Sequence, residues 1–383
     1  MEKVLVVGSG LIGSSVAAFL SSFGVTDITI SEETSEVKKH INLFDVATLS
    51  SFSGRGGLGN FWHNVIDLGA VDAEYSNEDL LKMCDLISNM TPLCFTHFHE
   101  VIPYSPIRPK KIIKKLAKTF EFLPKCTFLS KSDCSVTANF EGGIVRQFDR
   151  VFVCNGAMSS ADILIESGLA ERNETVSDHV IFYEDVVRSE SDESKKYFKI
   201  TRGPGYFSRP YETVGCAKLT YRPVYQGGQS RALKNRAIYN NSKYRIIFKL
   251  LNPFNFLQFF ESIYLRYGLL LPTKKYRRFV QVAVDSCYYW KNDHLLVDTE
   301  KIQSVVSGLN SNGLDISVGS GVSGIHFHNT VKNLDNDIGN FDDNLEAKIQ
   351  LLAPSYQFEP GPYHFSFKLL VDSYQLIKKI YVR

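Results

Sequence analysis

Val4-Leu-Val-Val-Gly8-Ser-Gly10-Leu-Ile-Gly13-Ser-Ser-Val-Ala-Ala-Phe-Leu20 is the stretch that decides the fold. Val4 to Val7 is a short run without a polar residue, the pattern of a parallel strand buried on both faces. Three glycines follow in the order G-x-G-x-x-G, and the residues after Gly13 take helical spacing. Gly8 makes the tight turn, Gly10 lets the backbone approach a pyrophosphate, and Gly13 lets helix and strand pack closely. The phosphates then sit at the positive end of the helix, beside Leu11 and Ile12. Asp27-Ile-Thr-Ile30 reads as the second strand. Glu32 lies 19 positions past Gly13, where a carboxylate can accept hydrogen bonds from a ribose hydroxyl. The glycines alone are a weak signal. Strand, glycines, helix, strand and acid in that order predict a Rossmann-type dinucleotide-binding unit.

The same glycine pattern recurs at Gly319-Ser-Gly321-Val-Ser-Gly324, but a His-rich segment follows instead of a helix, so this copy reads as a flexible turn. No G-x-x-x-x-G-K-[ST] occurs, and a triphosphate-binding P-loop is not supported. Ser50 to Gly59 reads as a glycine-rich loop and Lys110 to Phe120 as a basic amphipathic helix. Strands are expected at Cys126 to Leu129, Ser135 to Phe140 and Arg150 to Cys154. The last ends in Asn155-Gly156-Ala157, with a helix from Ser160 to Ser167 beyond it, which places a further glycine turn near a dinucleotide. From His179 onward the pattern changes, and strands are expected at Phe279 to Tyr289, Leu295 to Val297 and Ser304 to Leu309. A final helix, Phe367 to Ile380, returns to the nucleotide unit. The expected fold class is α/β. A discontinuous Rossmann-type domain (1–75, 105–178 and 320–383) carries an inserted antiparallel β-rich substrate domain (76–104 and 179–319).

Composition narrows the function classes. With 383 residues, 44% hydrophobic and 22% charged, the chain is a folded protein with room for a large core. A net charge of +2 removes any global electrostatic case for nucleic-acid binding. The seven cysteines include no CxxC pair and are odd in number, which argues against a disulfide framework or a structural zinc. His97-Phe-His99-Glu100 has no further clustered ligands, so no metal is expected there. No leader-like segment and no apolar run of about 18 residues is present, and the expected location is cytoplasmic.

These segments together resemble the glucose–methanol–choline (GMC) oxidoreductase family. Gly54-Arg-Gly-Gly-Leu-Gly-Asn-Phe-Trp62 is similar to the family's glycine-rich loop along the pyrophosphate and flavin, with Arg55, Gly57, Gly59, Asn60 and Trp62 as the contacts it implies. Arg150 to Leu164 resembles its strand, turn and following helix, with Asn155 and Gly156 at the turn. Gly324-Ile-His-Phe-His-Asn-Thr330 resembles the segment of the family's catalytic histidine, with His326 at that position. Ala353 to His364 resembles the stretch that ends beside the flavin, where Ser355 and Gly361 match and His364 takes the place of the second catalytic residue. The resemblance implies an FAD-binding Rossmann domain and a flavoprotein oxidoreductase that oxidises an alcohol, of a sugar or sugar conjugate. Phe61 stands where some relatives attach FAD covalently, so non-covalent binding is expected. The nucleotide fingerprint alone also fits a nicotinamide-dependent reductase, and a catalytically silent flavin-binding or scaffold protein would carry the same motifs.

The chemistry asked of the histidines is simple. Removing hydride from a C–H bond requires the adjacent hydroxyl proton to leave, and an imidazole near neutrality suits that task. His326 is assigned as base, His364 as its partner, and His328 as a structural or spare polar contact. His326 and His328 are two apart, so on a strand both would face the same way. Between Lys243 and Arg278 there are eight Lys or Arg against one acid, Glu261, within an aromatic-rich run. Residues 244–278 therefore read either as a buried helix pair with a basic edge or as an interfacial helix. The second would dock peripherally on an anionic membrane or an apolar carrier.

Overall fold

Apolar residues on both faces put β1 (Lys3–Val7) in the middle of a six-stranded parallel sheet. Val4 and Val6 face one core while Leu5 and Val7 face the other, and all four are at most 2% exposed. Each such burial contributes about 1.5–3 kcal/mol, which is why a polar residue is not tolerated in the run. β1 pairs with β2 (Asp27–Ser31) on one side and with β4 (Arg150–Val153) on the other. β3 (Glu121–Leu123) flanks β2, and β12 (Ile349–Leu351) and β11 (Ile338–Asn340) continue the sheet beyond β4. In this computed structural model residues 2–32, 38–43, 47–52, 76, 78–80, 101–104, 120–187, 201–203, 206–223, 275–292, 294–324, 326–341, 344–359 and 365–382 are described.

One face of the sheet is covered by α1 (Leu11–Ser22) and α4 (Phe365–Tyr381). Phe19 of α1 meets Tyr374 of α4 edge-on, with 5.1 Å between ring centroids, so the C-terminal helix does return to the nucleotide unit. Lys378 and Gln375 of α4 donate to the Asp79 carboxylate at 2.8 and 3.2 Å, and Leu80 joins the same core. Asp79 and Leu80, within the stretch expected to belong to the substrate domain, thus contact α4 and the core beneath it. The other face is covered by α2 (Ala157–Glu166) and by the antiparallel strands Cys126–Lys131, Val136–Phe140 and Ile144–Phe148.

The inserted unit is built on two long strands, β5 (Thr175–Val187) and β8 (Lys275–Lys291), paired antiparallel with an irregularity between Val176 and Asp178. β6 (Glu212–Val214), β7 (Ala217–Pro223), β9 (His294–Val297) and β10 (Val322–Ser323) complete this sheet. Val180, Phe182, Val280 and Val282 turn inward under α3 (Thr299–Ser311). This helix corrects the strand expected at Ser304 to Leu309. The Val305-Val306 pair suggests a strand in isolation, but Ile302, Val306 and Leu309 are buried at helical spacing. Asp298 caps the helix by accepting from the Lys301 amide at 2.9 Å. Asp298→Ala is therefore expected to cost about 1 kcal/mol, read as a lower urea midpoint. An unchanged midpoint would show that α3 does not depend on its cap.

Two further expectations change. The second glycine pattern does form a turn, but a packed one: Val318–Ser320 makes a single 3-10 turn and leads into β10, and a Cβ on Gly321 would lie 2.8 Å from the Phe182 ring. Lys275, Arg277 and Arg278 begin β8 rather than belonging to a helix, and the Arg278 Nε donates to Glu184 at 2.9 Å. Ser50 to Phe52 end a strand, Ala47–Phe52, that pairs with Lys38–Leu43. The helix expected at Lys110 to Phe120 and the aromatic run 244–274 lie outside the described residues, apart from Phe120. Among the described residues no helix is long and apolar enough to cross a membrane.

Candidate functional site

The turn after β1 has the shape its glycines require. Gly8 adopts a φ of +97°, and a Cβ there would lie 2.7 Å from Asn155 Cα, so the β1 and β4 turns abut directly. A Cβ on Gly13 would lie 1.8 Å from the Gly8 carbonyl oxygen, which fixes the close approach of α1 to the turn. At Gly10 a Cβ would meet nothing within 4 Å. That open space faces the first turn of α1, which carries no acid and no side-chain cap. Glu32, at the end of β2, reaches back to the turn: Glu32 Oε2 accepts from both the Ser9 amide and the Ser9 hydroxyl at 2.6 Å. Leu11 and Ile12, named with the glycines, lie half-buried against the core under the turn. A cradle of backbone amides, an uncrowded glycine and a neighbouring carboxylate is what a dinucleotide's pyrophosphate and ribose need.

Asn155 and Gly156 enter α2. Gly156 has a φ of +80°, and the Asn155 Oδ1 accepts from the Ser160 hydroxyl at 2.6 Å. The two C-terminal segments then close on this same turn. Thr330 and Ser355 each donate a hydroxyl to the Ala157 carbonyl at 3.0 Å. They also clasp each other: Asn329 N–H donates to Pro354 O at 2.8 Å, Val331 N–H to Ser355 O at 3.0 Å, and Phe358 N–H to Asn329 Oδ1 at 2.7 Å. Ser355 is fully buried, and its hydroxyl braces α2 against the C-terminal segment. Segments nearly two hundred residues apart in sequence thus meet at one turn beside Gly8.

His326 and His328 both meet the His179 ring, with centroids 5.7 and 6.1 Å from it. No regular strand places them there: their segment is tied to β5 by the Ser177–His328 bridge, by the Gly324 N–H donating to the His179 carbonyl at 2.7 Å and by the Asp178 side chain. His328 is fully buried, and its Nδ1 lies 3.0 Å from the His326 carbonyl, to which it donates. Burial holds His328 below the ordinary imidazole range. His326 is half-buried, and its ring stands edge-to-face with His179 at 5.7 Å between centroids. Gly324 lets this happen: a Cβ there would lie 2.6 Å from His179 O and 3.1 Å from His326 Nδ1.

Asp178 and His179 were missed from the sequence. Both are fully buried on β5, and the Asp178 Oδ1 accepts the His326 N–H at 2.8 Å. Their signal was available: two ionisable residues interrupt a run from Val176 to Phe182 that otherwise suits a buried strand. His364, Gly361, Arg55, Gly57, Gly59, Asn60 and Trp62 lie outside the described residues, as do His97, His99 and Glu100.

No protein-family model matches the sequence, and no curated protein matches it. Solved structures do. Pyridoxine 4-oxidase from Mesorbium loti is similar at a TM-score of 0.50 and 10% identity, over 99% of each chain. A formate oxidase from Aspergillus oryzae RIB40, in a structure on FAD modification, reaches 0.47 at 11% identity over 99% of this chain and 98% of its own. For 2,6-dihydroxypyridine-3-hydroxylase from Arthrobacter nicotinovorans the values are 0.39 and 12%, over 99% and 84%. The first likeness shows the fold, an α/β Rossmann-type unit with a β-rich antiparallel insert, as the strand pairing independently demonstrates.

Proposed function

We propose that this chain is an FAD-dependent oxidoreductase that oxidises an alcohol group, with His326 as the base. The observation that carries this reading is the convergence of Thr330 and Ser355 on the Ala157 carbonyl, which brings the His326 segment to the turn that abuts Gly8. Gly8, Gly10 and Gly13 would hold the pyrophosphate, Glu32 the ribose, and the Asn155-Gly156 turn would border the dinucleotide. When bound, FAD supplies the hydride acceptor that no side chain can provide. His326 takes the hydroxyl proton as the carbon gives up its hydride, so the alcohol becomes a carbonyl and the ring an imidazolium. Half-burial suits this task, since the ring must reach a substrate yet sit where water does not compete for it. A sugar or sugar conjugate is the substrate class the family resemblance favours, and His364 the partner it favours for the same oxygen.

The test is anaerobic mixing of the purified protein with a panel of primary alcohols, secondary alcohols and sugars. Bleaching of the flavin absorption by at least one of them is the expected result. Stable flavin bands across the panel would favour a silent flavin-binding protein instead.

A further inference from the structure

Asp178 sits at the irregularity of the β5–β8 ladder, fully buried, with its carboxylate enclosed by uncharged donors. Oδ1 accepts the His326 N–H at 2.8 Å, while Oδ2 accepts the Tyr288 hydroxyl at 3.2 Å and the Ser323 hydroxyl. The donors come from three places, β8, β10 and the segment after β10. One carboxylate therefore pins the backbone from Ser323 to His326 onto the long strands. A backbone amide and two hydroxyls do not neutralise a buried carboxylate, and leaving it ionised there is costly. Burial accordingly pushes the Asp178 carboxyl up to about 7, against the pull of its donors.

We propose that Asp178 is the positioning residue for His326, fixing its backbone and supplying the negative charge that stabilises the imidazolium formed when His326 takes the substrate's proton. This rests on His326 being the base. In that step the hydroxyl proton passes to the His326 ring and the C–H electron pair leaves as hydride to the acceptor that FAD would supply when bound; the imidazolium in turn favours the ionised form of Asp178, whose carboxyl lies near neutrality, so the histidine–aspartate pair is net neutral. With Oδ1 2.8 Å from the His326 amide, an imidazolium on that residue's own side chain forms close to a carboxylate whose donors do not neutralise it. The arrangement is the reverse of a surface ion pair, because the low-dielectric surroundings make the attraction larger.

The groups around Asp178 leave this pairing open. On β8, burial pushes the Cys287 thiol and the Tyr288 phenol up, so both stay neutral near pH 7. On β5 the neighbour is His179, and on the segment after β10 it is His328, held neutral by burial, with Asp285 of β8 3.9 Å from its Nε2. Asp178 itself is thus the group here whose charge changes near neutrality.

The test is the titration of the His326 imidazole by nitrogen NMR on the purified holoprotein labelled at histidine, its resonance assigned by its absence in His326→Gln. Asp178→Asn keeps an acceptor for the His326 N–H and removes the charge, with the Tyr288 and Ser323 hydroxyls turning to accept from the new amide. The expected result is a titration midpoint lower by about one pH unit or more, roughly tenfold weaker proton uptake, since an opposite charge at this range shifts a group by about 1–3 units. Equal midpoints in the two proteins would overturn the proposal. Should Asp178→Asn fail to fold, Tyr288→Phe keeps the ring packing and removes one donor. Asp178 then ionises at higher pH, and the coupled inflection in the His326 titration moves up with it; an unmoved inflection would equally overturn the proposal. No substrate enters this measurement, so failure of the alcohol panel would count against the reaction and leave this readout standing.

Discussion

Gly10→Val is expected to leave the fold intact and abolish FAD uptake, whereas Gly13→Val is expected to lose both. The two glycines belong to one motif but do different work. A Cβ on Gly10 meets nothing within 4 Å, so the protein alone tolerates a side chain there, and only a dinucleotide brought against that backbone would be displaced. A Cβ on Gly13 would sit 1.8 Å from the Gly8 carbonyl, backbone that cannot yield without opening the β1–α1 turn. Overpacking of this kind costs about 1–3 kcal/mol or more, and here it strikes next to β1, which is buried from Val4 to Val7. Thermal unfolding and flavin absorption after incubation with FAD separate the cases. A Gly10→Val protein that binds FAD like the parent would place the pyrophosphate somewhere else.

The second large effect is at the base. His326→Ala should retain FAD and slow flavin reduction by about 100- to 10,000-fold, the range that general-base catalysis contributes. His328→Ala is the internal control. That ring is fully buried and tied to the His326 carbonyl, so its loss should lower stability more than it lowers the rate per folded, flavin-loaded molecule. Measuring reduction in a single turnover, normalised to bound flavin, distinguishes the two. Equal and small effects at both positions would remove His326 from the role of base.

What could be read from the residues follows the range of the forces involved. β1, its turn and α1 were legible because strand burial, glycine geometry and helix spacing are local and point the same way. The Ser304 to Leu309 segment was misread because two adjacent valines suit a strand, and the deciding fact, burial of Ile302 and Leu309 against β8, lies outside the window. The alternation of a strand puts His326 and His328 on one side, and both rings do meet His179, but an irregular segment with a left-handed Asn329 at φ of 54° holds them there rather than a strand. The segment ending at Thr330 and the one carrying Ser355 are legible by resemblance, but their shared acceptor at Ala157 is not, since it depends on the return of residues 173 and 198 positions away. Asp178 stands out in its apolar run, but its role is hidden for the same reason. Its partners, Tyr288, Ser323 and His326, are more than a hundred residues downstream and come together only when β5 and β8 pair.

The most direct measurement of the central claim is a titration of the purified chain with FAD, followed by acid precipitation. Saturable uptake of flavin, a yellow protein and colour released into the supernatant are expected, because the cradle at Gly8, Gly10 and Glu32 would hold the dinucleotide without a covalent bond. A colourless protein that takes up no FAD at saturating concentration would contradict it.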